Sequence, residues 1–126
     1  MSDYAGFVFR VDTTTKAVTR LPAPTNVALY GIDGLAWHNG SLIGVQNGVD
    51  PSRVVQLELA ADGSRINAVR ILDMNHPRVA EPTLGVVVGD TYYYVANSFG
   101  GLLRKPNSVL ADQPLAEPVI LKLRLS

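Results

Sequence analysis

The chain has 126 residues, enough for one domain whose core buries about two-thirds of the unfolded surface. Hydrophobic residues make up 47% and charged residues 17%, which excludes a disordered segment and a charged helical rod. Lys plus Arg and Asp plus Glu balance at 11 each and cysteine is absent, which removes a basic field for nucleic acid or anionic membranes, disulfides, thiolate metal sites and cysteine nucleophiles.

In chain order, Phe7-Val8-Phe9-Arg10-Val11 is joined by a polar turn, Thr13-Thr14-Thr15-Lys16, to Ala17-Val18-Thr19-Arg20-Leu21. Alternation of Phe7, Phe9 and Val11 with Val8 and Arg10 predicts a strand. Next, Leu35-Ala36-Trp37-His38 and Leu42-Ile43-Gly44-Val45 flank Asn39-Gly40, a dipeptide that accepts positive φ in a type I′ hairpin turn. Trp37 is expected in the core, and His38, beside the turn, in solvent. Val54-Val55-Gln56-Leu57-Glu58-Leu59 and Ile66 to Leu72 flank Asp62-Gly63 in the same way. Gly89-Asp90 joins Val86-Val87-Val88 to Tyr92-Tyr93-Tyr94-Val95, where the three tyrosines are expected to pack on both faces of a strand. Eight prolines fall between these segments, and the one helical turn expected is short, Ser108 to Gln113. The fold class is all-β and antiparallel.

The strands repeat. Leu35 and Gly40 match Leu84 and Gly89 at an offset of 49, and Val45-Gln46-Asn47 matches Val95-Ala96-Asn97 at an offset of 50. Val8 to Val11 resembles Val55 to Leu59, and Ile120 to Leu125 supplies a third copy of that strand. A period near 50 with four strands per unit is the signature of β-propeller blades. The chain divides as one partial propeller domain: residues 1–29 hold the outer strands of one blade, 30–73 a complete blade and 80–126 an incomplete one, about nine strands in all. Propellers close with four to eight blades, so a little over two blades leave both lateral faces of the array uncovered. Two arrangements meet this: a piece of a larger ring, or a homo-oligomer of side-by-side copies, three for example, that completes one.

Tyr30-Gly31-Ile32-Asp33-Gly34-Leu35-Ala36-Trp37, the Asn-Gly turn and Ser41-Leu42-Ile43-Gly44-Val45 together resemble a blade of the SMP-30/gluconolactonase/luciferin-regenerating-enzyme-like propellers. Leu84 to Asn97 resembles a second such blade, and NHL-repeat propellers are similar in the same strands. The resemblance implies a six-bladed ring and a divalent cation (calcium, magnesium or manganese) on its axis, which polarises a lactone or ester carbonyl and activates water. Asp33 matches the family's Asp-Gly ligand, and Glu81, before Pro82, its blade-opening Glu. Asn47 and Asn97, at the ends of the second strands, are further metal candidates, and His76, in an inter-blade loop, is the imidazole available for acid-base work. The family's Asn-Gly-Leu ligand motif does not precede an innermost strand here.

Each candidate also has a structural role open to it. Asp33 before Gly34 can turn the chain and accept backbone amides. Glu81 can be a solvated carboxylate ahead of a proline that forces an extended backbone. His76 can be an ordinary loop residue. No Gly-x-Ser-x-Gly elbow, phosphate loop at Gly100-Gly101 or paired-histidine zinc site is present, and the formal glycosylation sequon at Asn39-Gly40-Ser41 lies in a tight hairpin. Met1-Ser2-Asp3-Tyr4 lacks the basic and apolar regions of a secretory signal, and no apolar run reaches the roughly 18 residues of a membrane span, so a soluble cytoplasmic protein is expected. Two functions follow as expectations: a metal-dependent lactone or ester hydrolase with Asp33 and His76 catalytic, or a non-catalytic binding or assembly module. Partners are other copies of the chain and a small-molecule ligand, not nucleic acid or membrane.

Overall fold

Asn39 and Gly40 both take positive φ, 43° and 79°, and turn the chain in two residues between Ile32–His38 and Ser41–Gln46. Gly89-Asp90 also turns the chain in two residues, whereas the other two connections differ from a plain two-residue hairpin. Asp62-Gly63 lies within a longer connection, closed by hydrogen bonds from the Gly63 amide to the Ala60 carbonyl (2.8 Å) and from the Ala60 amide to the Arg65 carbonyl (3.0 Å). At the first polar turn, Asp12 accepts the backbone amides of Thr14 and Thr15, both at 2.8 Å, and these bonds hold its carboxyl below the usual carboxylate range.

The computed structural model describes residues 1–98 and 116–126. They form ten strands and no helix: β1 (Ser2–Asp3), β2 (Phe7–Val11), β3 (Val18–Arg20), β4 (Ile32–His38), β5 (Ser41–Gln46), β6 (Arg53–Leu59), β7 (Ile66–Met74), β8 (Thr83–Val88), β9 (Thr91–Val95) and β10 (Ile120–Arg124). Among them no helix is long and apolar enough to cross a membrane. The helical turn expected at Ser108–Gln113 lies outside the described residues. Every pairing is antiparallel, in three sheets ordered β1-β2-β3, β4-β5-β6-β7 and β10-β9-β8. Strand β1 escapes the sequence pattern because two residues are too few to show alternation.

The second and third sheets share one register. In the β4–β5 hairpin Asp33 faces Val45, Leu35 faces Gly44, Ala36 faces Ile43, Trp37 faces Leu42 and His38 faces Ser41. In β8–β9 the same five pairs recur 50 residues later as Thr83–Val95, Gly85–Tyr94, Val86–Tyr93, Val87–Tyr92 and Val88–Thr91. A bulge falls at the same place in both, so Leu84 takes the place of Gly34 rather than of Leu35. The offset of 49 for Leu35 and Gly40 is therefore corrected to 50: Leu35 corresponds to Gly85, and Gly40 to Asp90.

The sheets stack in chain order. Each has a front face toward the following sheet and a back face toward the preceding one. Val8, on the front of the first sheet, packs with Ile32, Val55 and Leu57 on the back of the second. Ile43, Val45 and Val54, on the front of the second, pack with Tyr92, Tyr94 and Leu121 on the back of the third. Strands β1, β4 and β8, the first of each sheet, lie next to one another in that order.

Three core expectations are corrected here. Trp37 is 63% exposed: it lies on the back of the second sheet with Leu35 and Leu42, where the two-residue β1 is too short to cover it. His38 is only 5% exposed, because strand alternation turns it to the front face, toward Asp90 in the β8–β9 turn, 4.0 Å from its Nε2. The tyrosine triplet packs on one face instead of both: Tyr92 and Tyr94 are buried and stacked at 5.9 Å, while Tyr93 points outward and is exposed.

Gly85 makes room for that stack. A Cβ there would stand 2.3 Å from Cζ of Tyr92 and 2.6 Å from the Tyr93 carbonyl oxygen, and the latter is backbone. Gly85→Ala is expected to cost about 1–3 kcal/mol, the usual penalty of an overfilled core, read as a lower urea midpoint with an unchanged slope.

Candidate functional site

The adjoining first strands bring polar side chains from all three sheets together. Asp33, half-buried on β4, accepts a hydrogen bond at Oδ2 from the Thr83 hydroxyl of β8, 2.6 Å away. The same oxygen accepts Nδ2 of Asn47 at 3.2 Å, and that amide nitrogen also donates to the Pro82 carbonyl at 2.9 Å. Asn47 Oδ1 in turn accepts the hydroxyl of Tyr4, just after β1, at 2.9 Å. The Asn47 and Gly48 amides donate to the Gly31 carbonyl, which fixes the chain as it leaves β5. Its amide orientation follows from its partners: two acceptors on one side and a phenol on the other leave one arrangement in which every group is satisfied.

Asn97 and His76 have hydrogen-bond partners outside this cluster. Asn97, the counterpart of Asn47 by the 50-residue offset, is buried; it donates to the Glu117 carbonyl at 2.9 Å and accepts the Val119 amide at 2.7 Å. It therefore braces the segment that leads into β10. His76 accepts the Arg78 amide at Nδ1 (3.1 Å), while its carbonyl accepts the Val79 amide, so it organises its own loop. It lines a narrow cleft with Arg53, Asp73 and Tyr94, where the Tyr94 hydroxyl donates to Asp73 at 2.8 Å. Glu81 is exposed and has φ 58°, a left-handed conformation in place of the extended one that Pro82 leads one to expect. Its carbonyl accepts the Ser98 amide at 3.0 Å, which holds the turn against that backbone preference.

Among the described residues no group of three or more His, Cys, Asp or Glu side chains comes together. The amide oxygens of Asn47 and Asn97 are both turned to protein donors, and Asp33 Oδ2 accepts two. These side-chain oxygens, of the kind a hard divalent cation takes, are thus engaged by donors of the protein itself.

Several residues at the site carry no sequence signal of their own. Gln46, fully buried, donates Nε2 to the carbonyls of Ala28 (3.0 Å) and Tyr30 (2.6 Å) and accepts Arg53 Nε at 2.7 Å. A glutamine in an otherwise apolar strand is the one hint the sequence offers. Tyr4 and Thr83 give none, since their importance lies in which strand end each meets.

Two tyrosines here have shifted titrations. Burial, and then the Asp33 carboxylate, push Tyr92 from the ordinary 10.0 up to about 12. Tyr94 is pushed up further by burial and its hydrogen bond to Asp73.

No protein-family model, curated protein or solved structure matches this chain at a significant level.

The cluster makes two predictions. Asp33→Ala and Thr83→Val should each lose about 1–3 kcal/mol of stability, the usual result of stranding a polar partner, and the double variant should lose less than the sum. A urea-denaturation double-mutant cycle checks both. The second concerns alkali. Because the folded chain holds Tyr92 neutral to about pH 12 and the unfolded chain ionises it near 10.0, its contribution is complete below 10.0 and is lost as pH rises through about 12. Tyr92→Phe should therefore lose less stability than the parent between those two values, measured by denaturant midpoints across the range.

Proposed function

We propose that this chain is a non-catalytic β-propeller-type module that works by binding through its sheet faces, in preference to a lactonase-like hydrolase. The observation that carries this reading is the front of the third sheet, an apolar face that no other sheet among the described residues covers. Val86, Val88 and Ile120 are 57%, 61% and 58% exposed there, with Tyr93 between them. Contiguous exposed apolar surface of this kind marks an interaction site.

The residues that a hydrolase would need have other work. Asp33 and Asn47 tie the first strands together, Asn97 braces a backbone segment and His76 closes its own loop. His76 and Asp33 have separate hydrogen-bond partners, so no relay from one to the other supports a shared catalytic step. The resemblance to lactonase propellers supports the blade architecture, and a fold of that kind serves enzymes and binding platforms alike.

Purified chain, assayed with calcium, magnesium and manganese in turn against a γ-lactone and an aryl acetate, is expected to hydrolyse neither above the buffer rate. Calorimetric titration with each cation is expected to show no saturable heat. Metal-dependent turnover that disappears in a folded Asp33→Asn variant would overturn the proposal.

A further inference from the structure

The two sheet contacts within the chain follow one rule, front on back. The front of the first sheet covers the back of the second, and the front of the second covers the back of the third. Two faces are left over, and they are one of each kind. On the front of the third sheet, Val86, Tyr93, Val95 and Ile120 occupy the places of Ala36, Ile43, Val45 and Val54 in the second. In the second sheet that set of positions is covered by the back of another sheet; in the third Val86, Tyr93 and Ile120 stand exposed. On the back of the first sheet, Phe7, Phe9 and Val11 share a face with Val18 and Arg20. Val11 and Val18 are exposed there, and the Arg20 guanidinium lies over the Phe7 ring at 3.7 Å.

We propose that the front of the third sheet binds the back of the first sheet of a second copy of this chain, continuing the stack head to tail. This rests on the module reading above and supplies its partner. The chain itself twice contains a front-on-back contact of this kind, which argues for another copy over an unrelated partner. Each copy would keep one free front and one free back, so the contact repeats and closes into a ring when the rotation per copy divides a full turn. Lys122 and Arg124 on one face and Arg20 on the other carry the same sign, so charge opposes the contact and burial of the apolar side chains has to drive it. A face three strands wide measures about 14 Å by 17 Å at the usual strand spacings, about 240 Å² on each side and below the roughly 1,000 Å² total of a stable pair, so association depends on concentration and on closure of a ring.

Light scattering on the full chain over a concentration series tests this, with Val86→Glu and Val18→Glu each blocking one face at an exposed position. The parent mass should rise from one chain to a discrete multiple. Each variant alone should stay at the mass of one chain with an unchanged circular dichroism spectrum. An equimolar mixture should reach the mass of two chains and stop, because it holds one intact front and one intact back that can meet. A parent that stays at one chain throughout overturns the pairing. So does a Val18→Glu variant that still associates with itself, which would mean that like faces meet. Either result in a chain without metal-dependent turnover leaves the module reading standing, whereas turnover in the hydrolysis assay removes that reading on its own.

Discussion

The arrangement depends on a hydrogen-bonded latch along one edge of the stack, where the first strands of the sheets adjoin. Sheet-on-sheet packing by apolar side chains has little directional preference and tolerates sliding. Bonds from Thr83 and Asn47 to one carboxylate oxygen of Asp33 do not, since each requires a particular strand end at a particular height. Asn47 adds the Pro82 carbonyl and the Tyr4 hydroxyl, so segments at the first strands of all three sheets are fixed by one connected set of donors and acceptors. The core clusters then need only fill the space this sets: Val8 to Leu57 on one side, Ile43 to Tyr94 on the other.

The latch also accounts for the fidelity of the repeat. A one-residue slip in a β-hairpin turns every side chain to the opposite face. Here the bulge after Asp33 and the bulge after Thr83 place the following residues in the same phase, so the front of one sheet is the front of the next. Asp33 and Thr83 are themselves equivalent by the 50-residue offset, and they bond to each other. One repeat position thus supplies the acceptor and the next copy the donor. A sheet beyond the third would meet a hydroxyl at Thr83 where the third meets a carboxylate at Asp33, so the bond cannot simply be propagated by the same pair.

Much of this was legible in the sequence, for reasons that are local. Alternation at Phe7 to Val11 and Val55 to Leu59 marked strands, and Asn39-Gly40 marked a two-residue turn, because both depend on neighbouring residues alone. The period was visible to within one residue. What hid its register was the bulge, an unpaired residue that sequence matching absorbs as a shift of one. Trp37 and His38 were expected the wrong way round because hydrophobicity speaks of preference, while exposure is set by how far the neighbouring sheet extends. Asp33 and Asn47 stood out by residue type and motif. Tyr4 and Thr83 could not, since serving as hydrogen-bond partners across strands distant in sequence leaves no spacing to read.

The same residues can suggest chemistry and serve cohesion because of where they stand. Polar side chains at the ends of adjoining first strands are drawn into one small region by the fold, whatever they do there. If their oxygens converge on empty space, a cation can fill it; if donors from the neighbouring strands reach them first, they become a fastener. Asn47 decides between these outcomes here. With its Nδ2 held by two acceptors and its Oδ1 by a phenol, it gives Asp33 a hydrogen-bond donor in the direction where a coordination shell would need a second oxygen. The strand ends are then tied to one another by hydrogen bonds between the chain's own side chains and carbonyls.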